Sequence, residues 1–257
     1  MKKINICKFN RINISKVWFL DIKNEKIEDS SDVVQLYAIK DDNYKKCDKA
    51  VQLSWILNLK DDEDNIFNNM KKTTKYDINR AAKDDIEFEI IDSKKLKNNK
   101  ELIDNFEYVY NKMFKEKGIK EQLSRDTFEK YIINDMVILS RIIKDGIDIV
   151  YHVYLYDETT TRFLYSCSNF RSGDNELKKI IGRANKYLHW QDIKYFKKNG
   201  LTNYDFGGIM SFENPSGIDE FKMSFPGEKI VYYNYEYSNT FKGKMYLLLK
   251  KIYSKLH

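Results

Sequence analysis

Short apolar runs broken by polar clusters dominate the first sixty residues: V-W-F-L-D-I at Val17 to Ile22, V-V-Q-L-Y-A-I at Val33 to Ile39 and A-V-Q-L-S-W-I-L-N-L at Ala50 to Leu59. Runs of this length bounded by polar residues predict strands. Asp61 and Asp62 then offer N-caps to a helix carrying Ile66, Phe67 and Met70 and, after a break at Thr73-Thr74, Ile78, Ala81 and Ala82. Its Lys71, Lys72, Lys75, Arg80 and Lys83 make one face basic. From Asp85 the periods are clearer. Alternation predicts a strand over Ile86 to Ile91, and helical spacing of Leu102, Phe106, Val109, Tyr110 and Met113 predicts a helix from Lys100 to Lys117, ended by Gly118. A helix at Arg125 to Ile133 leads into strands at Met136 to Ile143 and Ile147 to Tyr156 across the Asp145-Gly146 turn signal, with a third strand at Thr160 to Phe170. A long helix, Leu177 to Lys198, precedes a strand at Asn203 to Phe206, a short helix at Gly217 to Phe225 and a tyrosine-rich strand at Lys229 to Tyr237. The order from Ile86 is β-α-α-β-β-β-α-β-α-β, an α+β class.

Composition narrows the field. A chain of 257 residues can bury a real core, and an aromatic content of 14% argues against disorder. The formal charge of +6 is spread along the chain, which suits an anionic small molecule, a phosphorylated carrier or an anionic membrane but not the concentrated patch of a duplex reader. Cys7, Cys47 and Cys167 are far apart and in no ligand spacing, so neither a disulfide scaffold nor a metal site is expected, and a reducing compartment follows. No signal peptide and no membrane-spanning run is read from the chain, which predicts a cytoplasmic protein.

The segment from Gly200 to Gly227, G-L-T-N-Y-D-F-G-G-I-M-S-F-E-N-P-S-G-I-D-E-F-K-M-S-F-P-G, concentrates the candidate chemistry. A strand that ends in Asp205 and then Gly207-Gly208 lets backbone come close to whatever lies beyond it. Lys222, between Phe221 and Phe225, reads either as an ordinary exposed helix lysine or as a cation held against apolar surface. Asp205 reads as a turn brace or as a group that orients a substrate. His189, mid-helix beside Trp190, reads as a buried, hydrogen-bonded histidine or as a base near a cleft. Ser166 and Ser168 share one side of their strand and could hydrogen-bond substrate; Cys167 between them has no paired base. Arg171 and Arg183 are candidate phosphate contacts. His152, within a strand, attracts no role.

Three antiparallel strands, a crossover helix and a further strand parallel to the last of them resemble the GNAT acyltransferase fold. More specific are M-K-K-T-T-K-Y-D-I-N-R-A-A-K-D-D-I-E-F-E-I from Met70, Y-L-H-W-Q-D-I-K-Y-F-K-K-N-G, Tyr204-Asp205-Phe206-Gly207-Gly208 and Phe221-Lys222-x-x-Phe225, which together look like the FemABX family. The resemblance covers Val51 to Tyr237 and implies a GNAT-like mixed sheet flanked by helices, with residues 1–84 as a truncated N-terminal lobe plus connecting helix and 85–257 as the acyltransferase domain. It implies transfer of an acyl group from an activated ester or thioester, acyl-CoA first, to an amino group of a cell-envelope glycan or peptidoglycan precursor. Lys222 would contact the oxyanion or donor, with Asp205 and His189 as further catalytic candidates and Ser166, Ser168, Arg171, Arg183, Tyr204, Gly207, Gly208 and Phe221 as binding residues. The pyrophosphate loop of GNAT enzymes is poorly matched by K-I-I-G-R-A at Lys179 to Ala184.

Two other readings stand beside this one. The basic face at Lys71 to Lys83 could serve aminoacyl-tRNA as donor, and the poor loop permits a non-catalytic GNAT-like binding module. The tail, N-T-F-K-G-K-M-Y-L-L-L-K-K-I-Y-S-K-L-H, reads as a basic amphipathic helix that packs on the domain or lies on an anionic membrane.

Overall fold

The computed structural model describes residues 1–44, 47–170 and 174–256, with side chains through 253. The chain divides into two compact units, Met1–Ser54 with Ile230–His257, and Trp55–Lys229. The sequence reading draws its line after residue 84 instead, and so places the C-terminal helix with the second part.

The first unit contains β1 (Lys2–Lys8), β2 (Ile12–Trp18), β3 (Val33–Ile39), the start of β4 (Asp48–Asn58), most of β10 (Glu228–Ser238) and α8 (Phe241–Leu256). Its strand order is β1-β2-β3-β10-β4, with β1 and β2 a hairpin, β3 parallel to β2 and β10 antiparallel to β3. Val17, Leu20, Val34, Leu36, Ile39 and Tyr235 form its core. The strand expected at Val17 to Ile22 shares only Val17 and Trp18 with β2, which begins at Ile12 and stops at Trp18, where Phe19 turns the chain at φ 58° while Leu20 stays buried in the loop. Burial in a connection thus mimics a strand. β1 was not expected at all, since K-K-I-N-I-C-K holds only two buried apolar side chains, Ile4 and Ile6.

The second unit begins with the end of β4 and continues through α1 (Glu63–Asn68), α2 (Lys72–Ala81), β5 (Glu87–Asp92), α3 (Ser93–Lys97), α4 (Lys100–Glu116), α5 (Arg125–Ile133), β6 (Val137–Lys144), β7 (Ile147–Tyr156), β8 (Thr160–Ser168), α6 (Asn175–Lys198), β9 (Asn203–Ile209) and α7 (Gly217–Lys222). Strand order is β4-β9-β8-β7-β6-β5, antiparallel from β5 to β8, with β9 parallel to β8. The Asp145-Gly146 turn has both φ angles positive, 52° and 74°, as a two-residue hairpin requires. On one side of β7 and β8, Tyr151 and Tyr165 pack on Phe106 of α4, and Tyr165 also meets Phe128 of α5. On the other side lies α6, started by Asp174, whose side chain accepts from the Leu177 N–H, and buried along Ile181, Ala184, Leu188, Ile193 and Phe196.

The helix after Asp62 breaks at Asn69 to Lys71 and not at the threonines. Thr73 and Thr74 sit in the first turn of α2, where Thr74 Oγ1 donates to Ser224 Oγ at 2.8 Å and the Lys71 N–H donates to Ser224 O at 2.9 Å. The start of α2 is therefore tied to the turn that follows α7.

Candidate active site

Strands β8 and β9 pair at Thr160–Asn203, Thr161–Tyr204 and Arg162–Asp205, and their register goes no further although β8 continues to Ser168 and β9 to Ile209. Parallel strands that part in this way leave unpaired backbone toward their carboxyl ends, the side on which α/β sheets commonly receive ligands. A buried ion pair marks the fork. Arg162 donates through Nη1 to Asp205 Oδ2, both side chains being almost completely buried, and Asp205 Oδ1 accepts from the Gly207 N–H at 2.8 Å. Asp205 is thereby engaged in the junction and braces the turn. Gly207 itself lies at φ 76°, and a Cβ there would come within 2.8 Å of Phe163 O and 3.9 Å of Lys222 Nζ. Only glycine fits both the dihedral and the gap.

Lys222 reaches the same point from α7. Ser216 and Asp219 form a capping box, and Asp219, 1% exposed, also accepts from the Met210 N–H at 3.0 Å, fastening α7 to the end of β9. Burial pushes the Asp219 carboxyl up, but the hydrogen bonds from Met210 and Ser216 more than offset this and hold it below its ordinary value. From that platform Lys222 Nζ donates to Gly208 O at 2.6 Å, and no carboxylate of the described residues forms an ion pair with it. Its pKa lies below 10.5, chiefly because the half-buried ammonium is desolvated, with Arg162 repelling it and Asp205 and Asp219 pulling the other way. The result is a cation at the mouth of the fork with donor capacity to spare.

His189 occupies a different place from the one its cleft reading requires. It is 1% exposed, ringed by Phe163, Phe206, Phe221 and Phe225, and its Nδ1 lies 2.6 Å from the Tyr204 hydroxyl. Tyr204 Oη is 2.6 Å from Tyr154 Oη, and Tyr154 donates to Asp192 Oδ2 at 2.6 Å, which also meets His152 Nδ1 at 2.8 Å; His152 Nε2 lies 2.7 Å from Asn185 Oδ1. Proton counting gives this chain one direction. Each tyrosine has one hydrogen, so Tyr154 donates to Asp192, Tyr204 to Tyr154 and His189 Nδ1–H to Tyr204. Burial, then His152 and Lys222, hold the His189 pKa well below 6.5, so the ring is neutral, with an unpartnered Nε2. Burial and Asp192 raise both tyrosines well above 10 and keep them protonated.

The donor atoms of His152, His189 and Asp192 lie within 4.8 Å of one another, the geometry of a possible metal cluster. The donor set argues otherwise: both nitrogens of His152 and Oδ2 of Asp192 already have protein partners, which leaves only His189 Nε2 and Asp192 Oδ1 open.

The other expected residues separate cleanly. Gly207, Gly208 and Lys222 meet at the fork, and Ser166 and Ser168 lie half-buried on the stretch of β8 beyond its pairing with β9. Tyr204 is fully buried with its hydroxyl between Tyr154 and His189, so it is not a substrate contact, and Phe221 packs on His189 and Phe225. Arg183 is held bidentate by Asp84, at 2.9 and 3.1 Å, and is not free for phosphate. Arg171 lies outside the described residues. The segment Lys179 to Ala184 is inside α6, not a loop before it, and the start of that helix carries Asp174 as cap and Glu176 in its first turn. Two acids there disfavour an anion at this helix start.

Arg162, Asp219, His152 and Asp192 were not singled out from the sequence. Asn185, His189 and Asp192 fall at i, i+4 and i+7 on the buried face of α6, and polar residues at that spacing within an apolar stripe are the signal that marks such a network.

No family model matches the sequence, and no curated protein matches it. Among solved structures, the fold is similar to that of FemX (13% identity, TM-score 0.57, covering 96% of this chain and 85% of that one). It is also similar to the C-terminal domain of a proposed lysylphosphatidylglycerol synthetase from Agrobacterium fabrum (14%, 0.54, 84% and 70%) and to L-PGS from Bacillus licheniformis (12%, 0.52, 85% and 72%). At these identities the likeness is one of fold.

Proposed function

From the FemABX-like fold of the GNAT superfamily that this chain carries, we propose that the protein is an acyltransferase that joins a carboxyl group from an activated ester to an amine. The observation that carries the reading is the half-buried ammonium of Lys222 at the β8–β9 fork, 2.6 Å from Gly208 O. When an amine attacks an ester carbonyl, an N–C bond forms, negative charge grows on the carbonyl oxygen, the C–O bond then breaks and the departing alkoxide takes up a proton. A preplaced cation in a partly desolvated cleft stabilises that charge more than it stabilises the ground state. Lys222 is the residue assigned that task. Ser166 and Ser168, on the free end of β8, orient the acceptor.

For the donor, the acidic start of α6 favours an aminoacyl ester of tRNA over acyl-CoA. Support also comes from α2, which packs through Thr74, Ile78 and Ala81 and presents Lys71, Lys72, Arg80 and Lys83 with the exposed ring of Tyr76 to solvent, a surface suited to a polynucleotide backbone. The hydrogen bonds from Lys71 and Thr74 to Ser224 set this face beside the segment that carries Lys222. The acceptor class is an amine-bearing precursor of the cell envelope, in line with the membrane lipid that the lysylphosphatidylglycerol synthetase structure is named for.

The test is transfer of radiolabel from bulk aminoacyl-tRNA, or in a parallel arm from acetyl-CoA and longer acyl-CoAs, into extracts of membrane lipid and peptidoglycan precursors. Label moving from aminoacyl-tRNA, and lost in Lys222→Ala with the melting temperature preserved, supports the reading. Label moving only from acyl-CoA overturns the donor assignment. No transfer from either, with a precursor still raising the melting temperature, makes the chain a binding module.

A further inference from the structure

Helix α8 carries apolar side chains on two opposite sides, and only one of them is buried. Gly243 and Leu247 are buried, and a Cβ at Gly243 would come within 2.1 Å of Asp32 O, so the helix rests there on bare backbone. Asp32 fixes the first turn by accepting from Thr240 Oγ1 at 2.7 Å and by pairing with Lys242 at 3.0 Å. At about 100° per residue, Phe241, Met245, Leu248, Leu249, Ile252 and Tyr253 gather on the side away from this contact. They follow the i, i+4, i+7, i+8, i+11, i+12 spacing of a buried face, yet all are exposed, Phe241 to 80% and Leu249 to 61%.

An independent element joins the stripe. Phe9 stands 82% exposed at the tip of the β1–β2 hairpin, in a turn closed by the Arg11 N–H donating to Lys8 O at 3.1 Å. Phe9 and Asn10 both have φ 53°, a conformation that favours asparagine or glycine and strains a bulky side chain. Burial within the fold does not compensate that strain. Phe9 instead lines, with Ile12, Phe241, Met245 and Leu249, an open recess of about 970 Å³ whose charged members are Arg11, Lys242 and Lys250 and which includes no acid.

Charge selects the occupant. Along its length α8 has five lysines and no acidic residue. Lys242, Lys250 and Lys251 are steadied by Asp32, Glu236 and Asp48, while Arg11 and Lys244 form no ion pair among the described residues. A second copy of the same face would bring these cations together. An apolar stripe edged by cations on both flanks matches the boundary between anionic headgroups and acyl chains. We propose that Phe9 and the outer stripe of α8 form a docking face for an anionic bilayer, with the apolar side chains at the acyl boundary and Arg11 and Lys244 against lipid phosphates. This inference is independent of the acyl-transfer reading, since it uses none of the same residues.

The experiment is sedimentation of the full chain with vesicles of phosphatidylcholine alone and of phosphatidylcholine mixed with phosphatidylglycerol. Partition onto the anionic vesicles only, falling as salt shortens the screening length, is the expected result. Phe9→Asn relieves the turn and so leaves the fold at least as stable, yet it should weaken partition about tenfold; Leu249→Gln, at an exposed site, should do the same. Failure to bind anionic vesicles, equal binding to neutral ones, or partition untouched by both variants overturns the proposal. So does a dimer in light scattering that Leu249→Gln dissociates, which would assign the face to a second copy.

Discussion

Two polar clusters in the Trp55–Lys229 unit, the Arg162–Asp205–Lys222 fork and the His152–Asp192–Tyr154–Tyr204–His189 chain, use similar chemistry to opposite ends. In the buried chain almost every donor is answered by an acceptor. At the fork, Arg162 and Asp205 satisfy each other and Gly207, which leaves the neighbouring cation half-exposed and under-used. A histidine is the more familiar catalytic residue, but here the lysine has the open valence and the histidine is sealed. Access and residual hydrogen-bonding capacity, not residue type, distinguish a site from a brace.

The sharpest way to break this comparison is to remove one half of the buried pair. Asp205→Ala leaves the Arg162 guanidinium without its carboxylate inside the fold and should cost about 3–5 kcal/mol in a urea titration; a loss under about 1 kcal/mol would mean that the pair is not structural. Next comes Lys222→Ala. If the ammonium stabilises the developing oxyanion, turnover should fall ~10²–10³-fold while the urea midpoint holds. In the unmodified chain the rate of any such transfer should also decline as alkali deprotonates Lys222, at a pH below the ordinary lysine value because burial disfavours the charge. An unchanged rate in Lys222→Ala would remove the lysine from the chemistry.

Tyr204→Phe tests the other cluster. It deprives Tyr154 and His189 of a partner and should destabilise by about 1–3 kcal/mol with little effect on turnover; a large kinetic loss with stability intact would move the network into the site. A further effect of similar size is in acid. His189 stays neutral in the fold, its pKa depressed below 6.5, whereas in the unfolded chain it takes up a proton near that value. The unfolded state therefore binds more protons below pH 6.5, and stability falls by about 1.4 kcal/mol per pH unit until the folded-state pKa is reached. Above pH 6.5 the term vanishes. His189→Gln should flatten this slope between pH 6.5 and 5, and an identical slope in the variant would show the ring to be protonated in the fold.

Much of the scaffold could be read without coordinates, because its elements are long, periodic and clearly punctuated. α5 and β7 fall at the predicted limits, and β8, α6 and β9 follow in the order that places β9 parallel to β8. The gaps have physical causes. α3 is only five residues long and holds three lysines around Leu96, so it offers no period. Nothing in the local sequence marks Arg162, whose partner Asp205 lies 43 positions away and is brought opposite it only by the parallel register. His189 is the buried, hydrogen-bonded histidine of its first reading, and Tyr204, a binding candidate through the FemABX resemblance, lies beside it. Strand alternation turns Tyr204 to the α6 side while Asp205 and Gly207 face the fork. The position of Lys222 was legible from its aromatic flanks and the Phe-Pro-Gly turn, but the Asp219 fastening that aims it was not.

Position 207 also carries a constraint on how this chain can vary. With φ at 76° and Phe163 O only 2.8 Å from where a Cβ would stand, every one of the nineteen other residues meets the same two obstacles, whatever its chemistry. Drift at that codon cannot be gradual. A substitution there forces Phe163 or the end of β9 to shift, so change at this one position is coupled to the geometry of the fork.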